Sequence, residues 1–467
     1  MPSAELVVPT RMSRVAVVAP GSRTRDVLVE LARTGTVELA GALPAPEGEE
    51  LEALRRLDAL HSPGQVVPKI LASPPDVPAL ERAANRELLA GEVELRRRFR
   101  LALRHGSFAA WVGWAPTAAL PDLGEKLGRL GSGVVELAHP RWVEPPTLLR
   151  AAPLDRLFRP LVSIYGAARY RDIDPTLFTA VSFVLMFGMM FGDAGHGLVL
   201  ALLALWLRGR RAGRLAPFRH LWAIPFASGL TATFFGVLYG ELFGPTDVLP
   251  TLWLDPIDSP EPLLLLAVAV GAALLFVSYL LGIANRWRES GALAALLHQS
   301  GVAGLATFAG GGLAAAGLFL GSVPAAIAGA AIGLAGLALL TTGFALRAGR
   351  GAAAVAEVAI ESVDSVTRLV SNVMSFTRLA AFGLMHAALG AVVFEAASAL
   401  WGGVVGGIAA VAVFALGNVL TFSLELLVSG VQALRLEYYE LYSRIFAGEG
   451  HAFSPWSLPV ISLQEEP

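Results

Sequence analysis

Cysteine is absent from this 467-residue chain. That excludes a disulfide scaffold and a zinc-thiolate site, and it leaves the redox compartment open. Charge is scarce: Asp, Glu, Lys and Arg make up 16% of residues, against about 25% in an ordinary soluble domain. Lysine is nearly missing, with only Lys69 and Lys126. The net charge of −2 provides no basic field for nucleic acid. There is no Walker-type phosphate loop, so the chain does not hydrolyse a nucleotide by that route, and no cofactor or metal is expected. The N-terminus lacks the basic flank and apolar core of a signal peptide. What the chain has instead is apolar residues, 55% of the total, and a mean hydropathy of +0.60. A disordered chain and an ordinary soluble enzyme both fit such a composition poorly.

The composition is polarised. The first 170 or so residues hold most of the Glu and Arg and no long apolar run, and residues 1–150 read as a cytoplasmic α/β domain. Residues 151–172 read as a linker, 173–446 as a membrane domain and 447–467 as a cytoplasmic C-terminal tail. In the first part, Arg14–Val18 suits a strand, Thr24–Arg33 a helix and Val37–Leu39 a second strand. Leu51–Leu60 and Ala79–Leu103 are charged helical patterns separated by a Pro-rich turn, which predicts a short helical hairpin. Phe108–Trp114, Asp122–Leu130 and Val134–Leu137 repeat the strand–helix–strand rhythm. His61, His105 and His139 are scattered and read as solvated histidines.

Apolar runs follow at Leu177–Leu207, Leu221–Phe243, Leu263–Ile283, Leu293–Leu320, Pro324–Leu346, Val366–Leu400 and Val404–Val428, the last continuing to Phe446. The first would be about 47 Å long as one straight helix, too long for a hydrocarbon core of about 30 Å. Gly188, Gly192, Asp193, Gly195, His196 and Gly197 lie in its middle, so a hairpin turning near Asp193 is expected. Arg208, Arg210, Arg211, Arg214 and Arg219 then mark a cytoplasmic loop by the positive-inside tendency. Asp247, Asp255, Asp258 and Glu261 mark an outer loop; Arg286 and Arg288 return inside, as do Arg347 and Arg350. The expected fold is a multi-pass α-helical membrane protein with about eight crossings and both termini cytoplasmic. One echo stands out: Phe187–Asp193 and Phe235–Glu241 both read Phe-Gly-x-x-aromatic-Gly-acid. Asp193 and Glu241 are therefore candidate outer-side acids, and tight helix packing at the glycines is the plainer reading of the same pattern.

Ionisable residues inside a bilayer are expensive and point to function. Asp364, Ser371 and Arg378 are seven apart and form one polar stripe on a continuous helix, with His386 two turns deeper. On the last long segment, Glu425, Ser429 and Gln432 share a face, with Arg435 beyond. Two such stripes, each with an Arg, suit an ion path interrupted by fixed positive charge. An Arg stays protonated at physiological pH and lowers the pKa of a carboxylate brought beside it, forcing release of its ion. A snorkelling or structurally paired Arg is the plainer alternative.

Phe187–Gly197, Ser375–His386, Gln432–Phe446 and Gly448–Pro455, with Pro145–Leu149 and Ile173–Thr176, resemble the membrane-embedded a (or I) subunit of V-type and archaeal-type rotary ATPases. The resemblance implies a stator that faces a rotating ring of lipid-like subunits and supplies two ion half-channels for protons or sodium. It implies Arg378 as the essential Arg between them, Arg435 as its support, Glu425 and His386 on the outer half-channel, and Asp364 on the cytoplasmic one. It further implies rotor-ring, central-stalk and peripheral-stalk partners, a bacterial or archaeal cell membrane, and eight crossings. The family's soluble arm is usually much longer, which leaves peripheral-stalk attachment open. Glu437 and Arg368 depart from the residues more usual in the family. A free-standing ion transporter and a purely structural membrane scaffold are the competing readings, and only a partner protein or the loss of transport in an Arg378 variant separates them.

Overall fold

In the computed structural model the described residues are 9–60, 66–138, 140, 143–148, 153–163, 166, 169–210, 213–246, 248–349, 351–445 and 450–461. His61, His139, Arg211, Asp247, Arg350 and Phe446, named above, lie outside them. The chain divides into two units: Pro9–Arg150 together with Gly450–Pro467, and Ala151–Glu449 together with the first eight residues.

The smaller unit is α/β. Its elements are β1 (Met12–Pro20), α1 (Thr24–Thr34), β2 (Glu38–Leu39), α2 (Glu49–Leu60), β3 (Ile70–Leu71), α3 (Val77–Arg82), α4 (Arg86–Phe99), β4 (Leu103–His105), β5 (Phe108–Pro116), α5 (Leu120–Gly128), β6 (Gly133–Glu136) and β7 (Val460–Ile461). β1 alternates buried and half-buried side chains, as a strand with one covered face must. The antiparallel sheet runs β2-β5-β1-β6, with β4 beside β5, the split βαβ arrangement. Val15, Val17, Leu28, Leu31, Trp111, Leu123 and Leu127 fill its core. The segment after residue 450 belongs to this unit: β7 pairs in parallel with β3, and Trp456 N donates to Val37 O at 3.1 Å.

One expected helix is divided. The pattern over Ala79–Leu103 breaks because Ala84 takes φ 51° and the Asn85 side chain caps α4, accepting from Leu88 N at 3.1 Å. Leu103 already belongs to β4. The α3–α4 arm packs on α2 through Leu57 and Leu89, and Arg56 pairs with Glu81 across it.

The larger unit is helical: α6 (Pro153–Ser163), α7 (Thr176–Phe191), α8 (Ala194–Gly209), α9 (Ala223–Tyr239), α10 (Pro260–Ser290), α11 (Ala292–Leu297), α12 (Val302–Phe319), α13 (Val323–Arg347), α14 (Ala352–Ser375), α15 (Thr377–Ala399), α16 (Gly403–Leu436) and α17 (Ser443–Ile445). Glu437–Tyr442 is a π-helical turn between the last two. Among the described residues, five stretches are long and apolar enough to cross a membrane: Pro260–Ser290, Ala292–Phe319, Val323–Arg347, Ala352–Ala399 and Gly403–Ile445. The sequence pattern led to about eight. The difference lies in α7, α8 and α9, which are apolar but only 16, 16 and 17 residues long, or roughly 25 Å against a core of about 30 Å. The expected break is at Gly192–Asp193, where Asp193 caps α8. A second break, at Phe376, separates α14 from α15. Phe376 keeps a right-handed helical conformation, so the Asp364–Ser371–Arg378 stripe crosses this one-residue interruption within the single span Ala352–Ala399.

Candidate functional site

The two echoing motifs fold alike and bring their acids together. α7 ends on Gly192, whose N–H donates to Gly188 O at 3.0 Å; α9 ends on Gly240, whose N–H reaches Gly236 O. Gly240 has φ 78°, the left-handed conformation that glycine adopts without strain. Glu241 N then also reaches Gly236 O at 2.9 Å, and Ala194 N donates to Glu241 O at 3.0 Å. Asp193 and Glu241 thus sit side by side, 0% and 3% exposed. Asp193 is held from both sides: Oδ1 accepts from His196 N at 2.8 Å and Oδ2 from Gly244 N at 2.7 Å.

His386 of α15 enters this pair. Its Nε2 is 3.5 Å from Asp193 Oδ2 and 3.8 Å from Glu241 Oε2. Its Nδ1 pairs with Glu425 of α16. His196 completes the group, with Nδ1 3.8 Å from Asp193 Oδ2 and its ring 5.5 Å from that of His386. Phe191, Phe243 and Phe422 wall the imidazoles at centroid distances of 5.3–6.1 Å. Carboxylates and imidazoles in such apolar surroundings interact far more strongly than in water. The arrangement can pass a proton between neighbouring groups or hold a cation among them. Ser429, buried one turn along α16 from Glu425, and half-buried Gln432 continue that face.

A second group surrounds the arginines. Arg378 is half-buried, and its Nη1 makes no hydrogen bond among the described residues. Glu440, on the π-helical turn, lies in the field of Arg378, Arg435 and Arg444. With its amide turned to suit its neighbours, Asn372 donates to Glu440 Oε2 and accepts from Arg444 Nη2, both at 2.9 Å. Glu437 points elsewhere, accepting from Ser182 Oγ at 2.6 Å. π-Helical turns recur at functional sites because they re-aim side chains. Here the turn puts Glu437 and Glu440 on different neighbours.

Of the residues singled out from sequence, Asp193, Glu241, His386 and Glu425 meet in one cluster. Arg378 and Arg435 both act on Glu440. Asp364 and Ser371 join neither group: both are exposed on α14, and Asp364 pairs with Arg368 at 2.6 Å. His196, Glu440, Asn372 and Arg444 were not among the expected site residues. The Asp193-x-x-His196 spacing, a cap and its third helical residue, carried a signal for the first of these. The flanking Arg435 and Arg444, within five residues, carried a partial signal for Glu440, but Asn372 and Arg378 reach it from another segment.

The sequence model of the V-type ATPase 116kDa subunit family matches residues 102–290 and 352–458. The A-type ATP synthase subunit I of Thermococcus kodakarensis is 28% identical over 375 residues, 74% of this chain and 54% of that protein. The A-type ATP synthase subunit I of Pyrococcus horikoshii is 27% identical, covering 80% of this chain and 57% of its own length. The human V-type proton ATPase 116 kDa subunit a 3 is 33% identical over 154 residues, 30% of this chain and 19% of that one. The chain spans about half the length of the archaeal relatives it matches.

Proposed function

Because this chain belongs to the V-type ATPase 116kDa subunit family, we propose that it is the membrane stator of a rotary ATPase, carrying protons or sodium past a rotor ring. It is an integral membrane protein, with helices long and apolar enough to span a bilayer. In this reading α7, α8 and α9 also cross, tilting little and drawing the bilayer thin around them, to make eight crossings with both termini cytoplasmic.

The observation that carries the proposal is the buried Asp193–Glu241–His386–Glu425 cluster, drawn from separate helices of an apolar bundle. Such groups are costly in lipid unless they pair or are hydrated, and they mark ion pathways. Here they form the outer half-channel, with Ser429 and Gln432 leading on toward the arginines. Arg378 separates the half-channels. Its unbonded Nη1 is a charged donor whose partner comes from another chain, the rotor carboxylate, and Arg435 supports it. Approach to Arg378 lowers the pKa of that carboxylate and expels its ion. Asp364 and Ser371, on the exposed face of α14, line the cytoplasmic entry. The partners are the ring and the central stalk.

The test is a gentle-detergent pull-down of the tagged chain with mass spectrometry. Co-purifying ring and nucleotide-binding subunits are expected. A solitary protein, reproducible across detergents, overturns the stator reading in favour of a free-standing transporter.

A further inference from the structure

We propose that Asp193, His196 and His386, with Glu241 as fourth donor, form a binding site for a divalent transition-metal ion of the zinc class. The donor set is two imidazoles and two carboxylates. Hard ions such as calcium and magnesium take six or more oxygens, whereas imidazole with carboxylate in a group of four suits zinc or cobalt. Two carboxylates also match the charge of a divalent ion in a site walled by phenylalanines.

The geometry is close to what such an ion needs. Metal–ligand bonds of about 2.0–2.1 Å in a tetrahedron place donor atoms about 3.3–3.5 Å apart. Asp193 Oδ2 and His386 Nε2 are already 3.5 Å apart, and the next two separations, to Glu241 and to His196, are 3.8 Å. Ligand atoms of the first three residues all lie within 4.8 Å of one another.

Two further observations point to a ligand. His196 is 3% exposed, and its ring nitrogens make no well-aligned hydrogen bond among the described residues, with Asp193 and Asn418 as their polar neighbours. A buried imidazole held this loosely is expensive, and a metal ion relieves that cost. His386 meanwhile has its other nitrogen, Nδ1, on Glu425. A carboxylate on the far nitrogen fixes the tautomer and turns Nε2 toward the site, which is the usual outer support of a metal-bound histidine. Backbone N–H groups of His196 and Gly244 steady Asp193 in the same way.

This inference goes beyond the transport reading and does not depend on it, because binding is read directly on the full-length chain in detergent. The metal-stripped protein is titrated with Co²⁺. One equivalent is expected to give the intense visible absorption of four-coordinate cobalt, removed by Zn²⁺. His196→Ala and His386→Ala abolish the band, and Glu425→Gln weakens binding about 10–100-fold through His386. His220→Ala and His298→Ala leave it unchanged. Absence of the band in the unmodified protein overturns the site, as does a band that survives His196→Ala or is lost equally in His220→Ala. Should His386→Ala not fold, the near-isosteric Glu425→Gln decides: unchanged affinity there also overturns the proposal.

Discussion

Asp172 lies fully buried in the turn before α7, its Oδ2 accepting from Arg169 N at 3.3 Å. Burial pushes its carboxyl up to about 7, and the neighbouring Glu289 carboxylate adds to the shift. The sign follows directly. The unfolded chain releases this proton near pH 4 while the folded protein keeps it to about pH 7, so this group's contribution to stability falls across that interval. Asp172→Asn removes the loss. The variant is expected to match the parent near pH 4–5 and to exceed it at pH 8 by an amount on the order of 2–4 kcal/mol. Melting curves from pH 5 to 8 check this, and an equal slope in both proteins refutes it. A single-residue effect of this kind was not visible in the sequence, where Asp172 was only the end of a polar linker.

At the scale of elements, helix approach is set by small residues. A Cβ on Gly236 would lie 2.0 Å from Ala194 N and 2.4 Å from Asp193 C, both backbone atoms. Gly236→Val must therefore part α9 from the start of α8 and displace Asp193 and Glu241 together. We expect a loss of more than about 3 kcal/mol, seen as poor folded yield or a much lower melting temperature. On α12, a Cβ on Gly311 would meet nothing within 4 Å. Gly311→Ala should be neutral or stabilising by up to about 1 kcal/mol, which separates packing from helix propensity. The sequence showed both Gly-rich motifs and the turn at Asp193, because a charge and several glycines amid apolar residues interrupt a helix locally. It did not show the break at Phe376, where neither Gly nor Pro interrupts the pattern.

At the scale of the whole molecule, the proposed function makes a demand on Arg378 that charge alone does not meet. Lysine carries the same charge but not the planar fork of donors. Arg378→Lys should assemble with its partners, as pull-down would show, and lower ATP-driven ion transport into vesicles by more than about tenfold. Near-normal transport would reduce Arg378 to a structural residue. Failure to assemble would instead place its role in folding, and Arg435→Lys, at an exposed position on α16, then tests the same polar path with less risk to the fold.

By itself the sequence determined the division into a polar α/β part and an apolar helical part, the strand–helix rhythm of the first and the paired acid motifs of the second. These follow from composition and short-range periodicity, which act within one or two turns of chain. The tertiary structure alone decided which polar residues meet. Asp193, Glu241, His386 and Glu425 lie up to 232 positions apart, by 425 − 193, and converge because glycine contacts let their helices approach. Asp364 stays outside because it lies on the exposed face of α14. Glu440 reaches the arginines because a π-helical turn reorients the end of the last long helix. Burial and ion pairing depend on neighbours distant along the chain, and periodicity along one helix does not encode them.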